Sequence, residues 1–226
     1  MLLNEGSLLN TTTNVQYLDS MQTQNSKHRL NIGCGKTPLD GWINTDLEPE
    51  LDGVEFLDAT KEFPYIDNYF DIVFSEHMFE HIDLSGQINM LREVHRTLKQ
   101  GGTFVLTCPT MEFLIDLYNN PTVENNKKYI EFHSKFYGGP YNTFFDTTEA
   151  LPKSVVINNF MHMWGHLSIY DCPTIIKMLE TVGFVDIVEH KVGEFLYESN
   201  ALEQHGRVIP SWANEMESRT FVCYKL

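Results

Sequence analysis

Two glycines one residue apart, Gly33 and Gly35, follow a short β-rich run at Arg29–Ile32. Glycine after a strand lets the backbone approach a ligand closely, with its N–H groups turned toward it. Alone, Gly33-Cys34-Gly35 describes an ordinary tight turn as well as a cradle. The runs that follow, however, also end on polar groups: Asp46, then Asp58, then Ser75-Glu76. In open α/β sheets, ligands bind outside the carboxyl ends of the strands. An acid after the second strand can accept from both hydroxyls of a ribose, and one after the third can reach an adenine amine. The series at successive strand ends therefore points to a nucleotide-bearing ligand more strongly than the glycines do.

A second group is Glu76-His77-Met78-Phe79-Glu80-His81, which contains H-x-x-E-H. On a helix, His77 and His81 would share one face and could bind zinc. No third ligand on a following helix is singled out, so the expectation is no metal. His162 and His166 form another pair four residues apart and read as pocket lining.

The elements that must position these residues are visible as alternating texture. β-rich runs at Arg29–Ile32, Trp42–Thr45, Val54–Leu57, Phe70–Phe74 and Thr103–Thr107 are separated by turn signals. Between the last two, Leu84, Ile88, Leu91, Val94 and Leu98 recur at helical spacing, and Gly101-Gly102 reads as the stop. A further helix is expected at Pro173–Val182, ended by Gly183, with strands at Phe184–His190 and Arg219–Tyr224. This order predicts an α/β fold with a mostly parallel sheet. Residues 1–28 are polar and read as an N-terminal arm or lid, leaving 29–226 as the main domain. Within it, 110–165 breaks the rhythm with 11 aromatics in 56 residues. It reads as a long irregular insertion, leaving the sheet at its carboxyl edge and so placed to cap a substrate.

The 226 residues are 42% hydrophobic and 21% charged, which suits one domain with a substantial core. The formal charge is −15, against any basic face for nucleic acid or anionic membrane, so neither is an expected partner. Four scattered cysteines without a C-x-x-C pair indicate free thiols, and the opening residues lack the features of a signal peptide or span. The expected location is the cytoplasm. Nothing in the sequence fixes an oligomeric state.

The segments LNIGCGKTPLDGWINTDLEP, FPYIDNYFDIVFSEHMFEHI, MLREVHRTLKQGGTFVLTCP, NNFMHMWGHLSIYD and ETVGF, spread over most of 29–190, resemble the class I S-adenosylmethionine (SAM)-dependent methyltransferases of the type 11-like group. The resemblance implies a Rossmann-like sheet of seven strands whose last strand runs antiparallel. It implies SAM as cofactor, leaving as S-adenosylhomocysteine. Gly33, Cys34 and Gly35 would cradle the methionine part and Asp46, with Leu47 beside it, would hold the ribose. Asp58 and Ala59 would flank the adenine, Ser75 and Glu76 would line the floor, and His77 would start a helix beside the methyl. Asn31 stands where the group usually has an acid on the first strand, and a third glycine is missing. Gly33 to Asp46 spans only 13 residues, so the first crossover should be a loop or a single short turn.

A base is needed only when the acceptor is a hydroxyl or a protonated amine. Histidine is the usual choice, which makes His77 and His166 the catalytic candidates, with Tyr170 as a hydrogen-bond partner to the acceptor. His205 reads as a position whose loss should be silent. The expected activity is methyl transfer to an O or N atom of a small molecule, such as a sugar or natural-product intermediate. The alternatives are a catalytically silent SAM-binding scaffold and a nucleotide-linked oxidoreductase.

Overall fold

The computed structural model describes residues 27–145 and 150–226. The expected N-terminal arm thus lies outside the described residues, save for its last two. Among the described residues, seven strands form one sheet: β1 (Arg29–Ile32), β2 (Ile43–Asp46), β3 (Val54–Phe56), β4 (Phe70–Glu76), β5 (Leu98–Pro109), β6 (Phe184–Lys191) and β7 (Ser218–Lys225). Their order is β3-β2-β1-β4-β5-β7-β6. Strand β7 runs antiparallel to β5 and β6, and the other pairs are parallel. This is the Rossmann-like, seven-stranded sheet with an antiparallel last strand. The strand order reverses between β1 and β4, which opens a crevice at their carboxyl ends. Residues 33–42, linking β1 to β2, form turns without a helix, as the short spacing required.

Helix α1 (Leu84–Thr97) starts where the Asp83 carboxylate accepts from the Gly86 N–H at 2.7 Å. It buries Met90, Leu91 and Val94 against the sheet. It ends at Thr97, whose hydroxyl returns to Glu93 O at 2.8 Å, and not at the glycines. Gly101 and Gly102 lie inside β5, where the register jumps from Phe70↔Leu98 to Ile72↔Thr103. They serve a bulge, with Gly101 at a φ of 72°.

The 110–165 insertion is helical where irregular chain was expected. Among its described residues are four α-helices: α2 (Met111–Asn119), α3 (Glu124–Tyr137), α4 (Gly139–Phe144) and α5 (Lys153–His162). Asn120 stands between α2 and α3, and Gly138 between α3 and α4. Phe113, Leu117, Tyr129, Ile130, Val156 and Phe160 form a hydrophobic cluster of their own, with Ala213 from α7 (Ser211–Glu217). The aromatic content that looked irregular is thus the core of a small helical layer. Helix α6 (Cys172–Val182) packs on the sheet beside α1, capped by Asp171 and ended by Gly183 at a φ of 114°. The main core holds Phe70, Phe104 and Phe221, all fully buried, each stabilising the fold by about 1.5–3 kcal/mol.

Candidate active site

Two cavities open at the carboxyl ends of β1, β2 and β4. The first, about 340 Å³, is lined by Gly33, Gly35, Asp46, Leu47, Asp58 and Ala59, with Met78 behind the glycines. The second, about 320 Å³, lies under the insertion, among Cys34, Glu76, Tyr129, Phe132, Tyr137, Phe160, Trp164, His166, His205 and Glu217. Gly33, Gly35, His77 and His81 line both and form the wall between them.

The glycine turn is built for close approach. Gly33 has a φ of 70°, and a Cβ there would collide with the Met78 side chain. Gly35 has a φ of 51°, and a Cβ there would meet nothing within 4 Å, so its face is open toward both cavities. The turn is held on β2: Gly33 and Cys34 N–H groups donate to Thr45 O at 2.8 and 3.0 Å. The Asp46 carboxylate accepts from Gly35 N at 2.8 Å and Glu48 N at 3.0 Å. Asp58 accepts from the Thr60 hydroxyl at 2.6 Å through one oxygen, which holds its carboxyl below the usual range, and its second oxygen is left for a ligand. Burial pushes the Cys34 thiol up to about 11, so it lines the wall as a neutral group.

Three expected site residues stand outside both cavities. Asn31 is buried within the sheet and donates to Asn44 Oδ1 at 3.0 Å. Ser75 is fully buried and its hydroxyl donates to Ile32 O at 3.1 Å. The two stand on opposite faces of the sheet, and packing covers each of them. Tyr170 donates to Gln87 Oε1 at 3.1 Å, and Gln87 in turn reaches Phe79 O and Ser168 Oγ. It braces Gln87 and lines neither cavity. Glu76 does line the second cavity, yet its carboxylate is occupied by the Gln204 and His205 N–H groups at 2.6 and 3.1 Å.

His77 does not start a helix. It sits at a φ of 47°, a left-handed conformation that costs about 1–3 kcal/mol and collects at functional sites. Trp164, on the same cavity, has a φ of 58°. The His77 ring stacks on His205 at 3.8 Å, bonds Ser218 Oγ through Nε2 at 2.8 Å, and pairs with Glu80 through Nδ1 at 3.2 Å. Burial would lower its pKa, but Glu80, Glu217 and Glu76 outweigh that and raise it to about 9. The shift favours the imidazolium over the neutral ring at neutral pH, which works against a general-base role. Burial and the charge on His77 lower His205 to about 3, and burial raises Glu217 to about 7. Glu217 accepts from the Tyr129 hydroxyl at 2.6 Å.

His166 lines the second cavity with its Nδ1 at 2.6 Å from Phe160 O. Burial lowers its pKa, which keeps the ring neutral. His162 ends α5 and is exposed, so the four-residue pair does not form. Sequence reasoning assigned no role to Glu217 and made His205 a silent position, because their partner His77 is more than a hundred residues away. The one local signal was the acid–histidine spelling around His77, which marked the place but not its partners.

Residues 43–106 match the family model described as a methyltransferase domain. No curated protein matches the chain in sequence. Among solved structures, the chain is similar to a SAM-dependent methyltransferase from Archaeoglobus fulgidus at 16% identity and a TM-score of 0.49, covering 95% of this chain and 93% of that one. It is similar to a possible histamine N-methyltransferase from Thermotoga maritima at 14% identity and 0.48, covering 94% and 89%. A phosphoethanolamine N-methyltransferase from Haemonchus contortus aligns at 14% identity and 0.45, covering 95% of this chain and 52% of that one.

Proposed function

We propose that this chain, which has the sheet and the sequence-matched domain of a class I SAM-dependent methyltransferase, moves the methyl group of SAM to an oxygen or nitrogen of a small molecule. The observation that carries the reading is the pair of cavities that meet at Gly33, Gly35, His77 and His81. One has the glycine turn and two carboxylates suited to an aminoacyl nucleoside. The other is aromatic and roofed by the insertion, which excludes water from an acceptor.

When bound, SAM would supply an electrophilic methyl to an aligned acceptor lone pair, and a hydroxyl or protonated amine would in addition have to give up its proton. Asp46 and Asp58 hold the ribose and adenine, and the open face of Gly35 admits the methionine part. Tyr129, Phe132, Tyr137 and Trp164 hold the acceptor by apolar contact, and positioning supplies most of the acceleration. Within this wall the imidazolium of His77 neutralises Glu80 and fixes the ring of His205. His166 keeps a neutral Nε2 toward the acceptor. The displaced Asn31 does not favour a silent binder, since Asp46 and Asp58 line the cavity without it.

Calorimetric titration with SAM, S-adenosylhomocysteine and NAD tests the cofactor, and labelled SAM against sugars, amines and hydroxylated metabolites tests the transfer. Binding of NAD in preference to SAM would overturn the reading.

A further inference from the structure

We infer that Glu80, His81 and His166 form a site for one divalent metal ion at the wall between the two cavities. The sequence expectation was no metal, for want of a third ligand. The fold supplies it, bringing donor atoms of these three residues within 4.8 Å of one another. What the ion would do there rests on the proposed methyl transfer; its binding does not.

His166 Nδ1 lies 2.6 Å from Phe160 O. A carbonyl can only accept, so Nδ1 carries the proton and Nε2 keeps its lone pair. Metal-bound histidines are held this way, their second nitrogen donating to a carbonyl or carboxylate. Glu80 is 2% exposed, and among the described residues neither carboxylate oxygen accepts a hydrogen bond. Its nearest charged neighbour is His77, whose Nδ1 lies 3.2 Å from Oε1. His77 pairs with Oε1, which leaves Oε2 buried without a partner among the described residues, and a bound cation would take up its lone pairs. The rings of His81 and His166 meet at 68° with centroids 4.9 Å apart. Their planes cross, so in-plane lone pairs can converge on one point.

A neighbouring trio, His77, His205 and Glu217, is equally close but fails this test. Its rings are stacked at 18°, so their in-plane lone pairs run side by side, and both His77 nitrogens are engaged. The favoured trio is also braced. Glu80 O accepts from Leu167 N at 2.8 Å and Ser168 N at 3.4 Å, tying the short helical turn Phe79–His81 to the chain just after His166.

Two imidazoles and one carboxylate suit a borderline ion such as Zn²⁺, Co²⁺ or Fe²⁺, and three protein ligands leave positions open. His81 and His166 both border the acceptor cavity, so an open position would take water or an acceptor oxygen and hold it at the shared wall.

The full chain, stripped with chelator, is titrated with Co²⁺ and Zn²⁺ by calorimetry and visible absorption. One equivalent per chain and a tetrahedral or five-coordinate Co²⁺ spectrum are expected. His166→Ala and His81→Ala should each weaken binding by roughly 100-fold or more, while His162→Ala at the exposed end of α5 should not. Thermal melts confirm that each variant is folded. Absence of binding by the folded wild type overturns the site, as does loss in His205→Ala with retention in His166→Ala. A parallel titration with S-adenosylhomocysteine separates the two readings: cofactor binding without metal binding sinks only this inference, and the converse sinks only the methyltransferase reading.

Discussion

Alanine at Gly35 and at Gly33 should have opposite signatures, although the two residues share one turn. Gly35 has a φ of 51° and open space where a Cβ would stand. Gly35→Ala therefore costs only the left-handed conformation, about 1–2 kcal/mol. The added methyl projects into the space where the two cavities meet, so affinity for S-adenosylhomocysteine should fall at least about tenfold, or ~1.4 kcal/mol. Gly33 has a φ of 70° and a Cβ there would lie 2.7 Å from Met78 Cβ. Gly33→Ala adds overpacking of about 1–3 kcal/mol to the same conformational cost, for a loss of roughly 2–5 kcal/mol. Urea unfolding gives the stabilities and calorimetry the affinities. Equal destabilisation by the two changes, or wild-type affinity in Gly35→Ala, would refute the argument that the turn is shaped for a ligand on one side and packed on Met78 on the other.

Asp46→Ala should weaken cofactor binding, and it should also cost roughly 1–2 kcal/mol of stability, because the carboxylate accepts from Gly35 N and Glu48 N; unchanged affinity in a calorimetric titration would remove Asp46 from the site. His77→Ala leaves Glu80 buried without its cation and should destabilise the fold by about 3–5 kcal/mol, so lost turnover in this variant does not by itself identify a base; His77→Ala together with Glu80→Gln should recover part of the stability in thermal melts, and no recovery would count against the ion pair. His133 on α3 is fully buried, neither ring nitrogen has a hydrogen-bond partner among the described residues, and burial lowers its pKa to about 4. The unfolded chain takes up that proton first as pH falls below 6.5, so the stability this neutral ring contributes is present above 6.5 and is lost down to pH 4, by roughly 3 kcal/mol at 1.36 kcal/mol per pH unit. His133→Phe should flatten that part of the stability–pH curve, and an unchanged curve would show that the ring is solvated. His205→Ala, silent on the sequence reading, should instead loosen the His77 stack and impair acceptor turnover while leaving cofactor affinity unchanged, which steady-state kinetics can separate.

The glycine turn and the acids at the ends of β2 and β3 were legible in the residues because each depends on a few neighbours: a strand, a turn and the next strand in register. The same local logic misplaced Asn31 and Ser75. A strand turns alternate side chains to opposite faces, and only the packed sheet decides which of them meets a cavity and which meets Asn44 or Ile32 O. Gly101-Gly102 could end a helix or form a bulge, and pairing of β5 with β4 selected the bulge. The insertion's aromatics signalled burial, but their helical spacing on α2, α3 and α5 was read as irregular chain.

By itself, then, the sequence determined the α/β alternation, the turn at Gly33–Gly35 and the placement of Asp46 and Asp58 at the strand ends, since these follow from short-range spacing. Tertiary structure alone decided the carboxylates around His77, the position of Tyr170 outside both cavities and the convergence of Glu80, His81 and His166. Charge and coordination depend on which groups are brought within a few ångströms after burial removes water between them, and those groups come from segments up to about 140 residues apart.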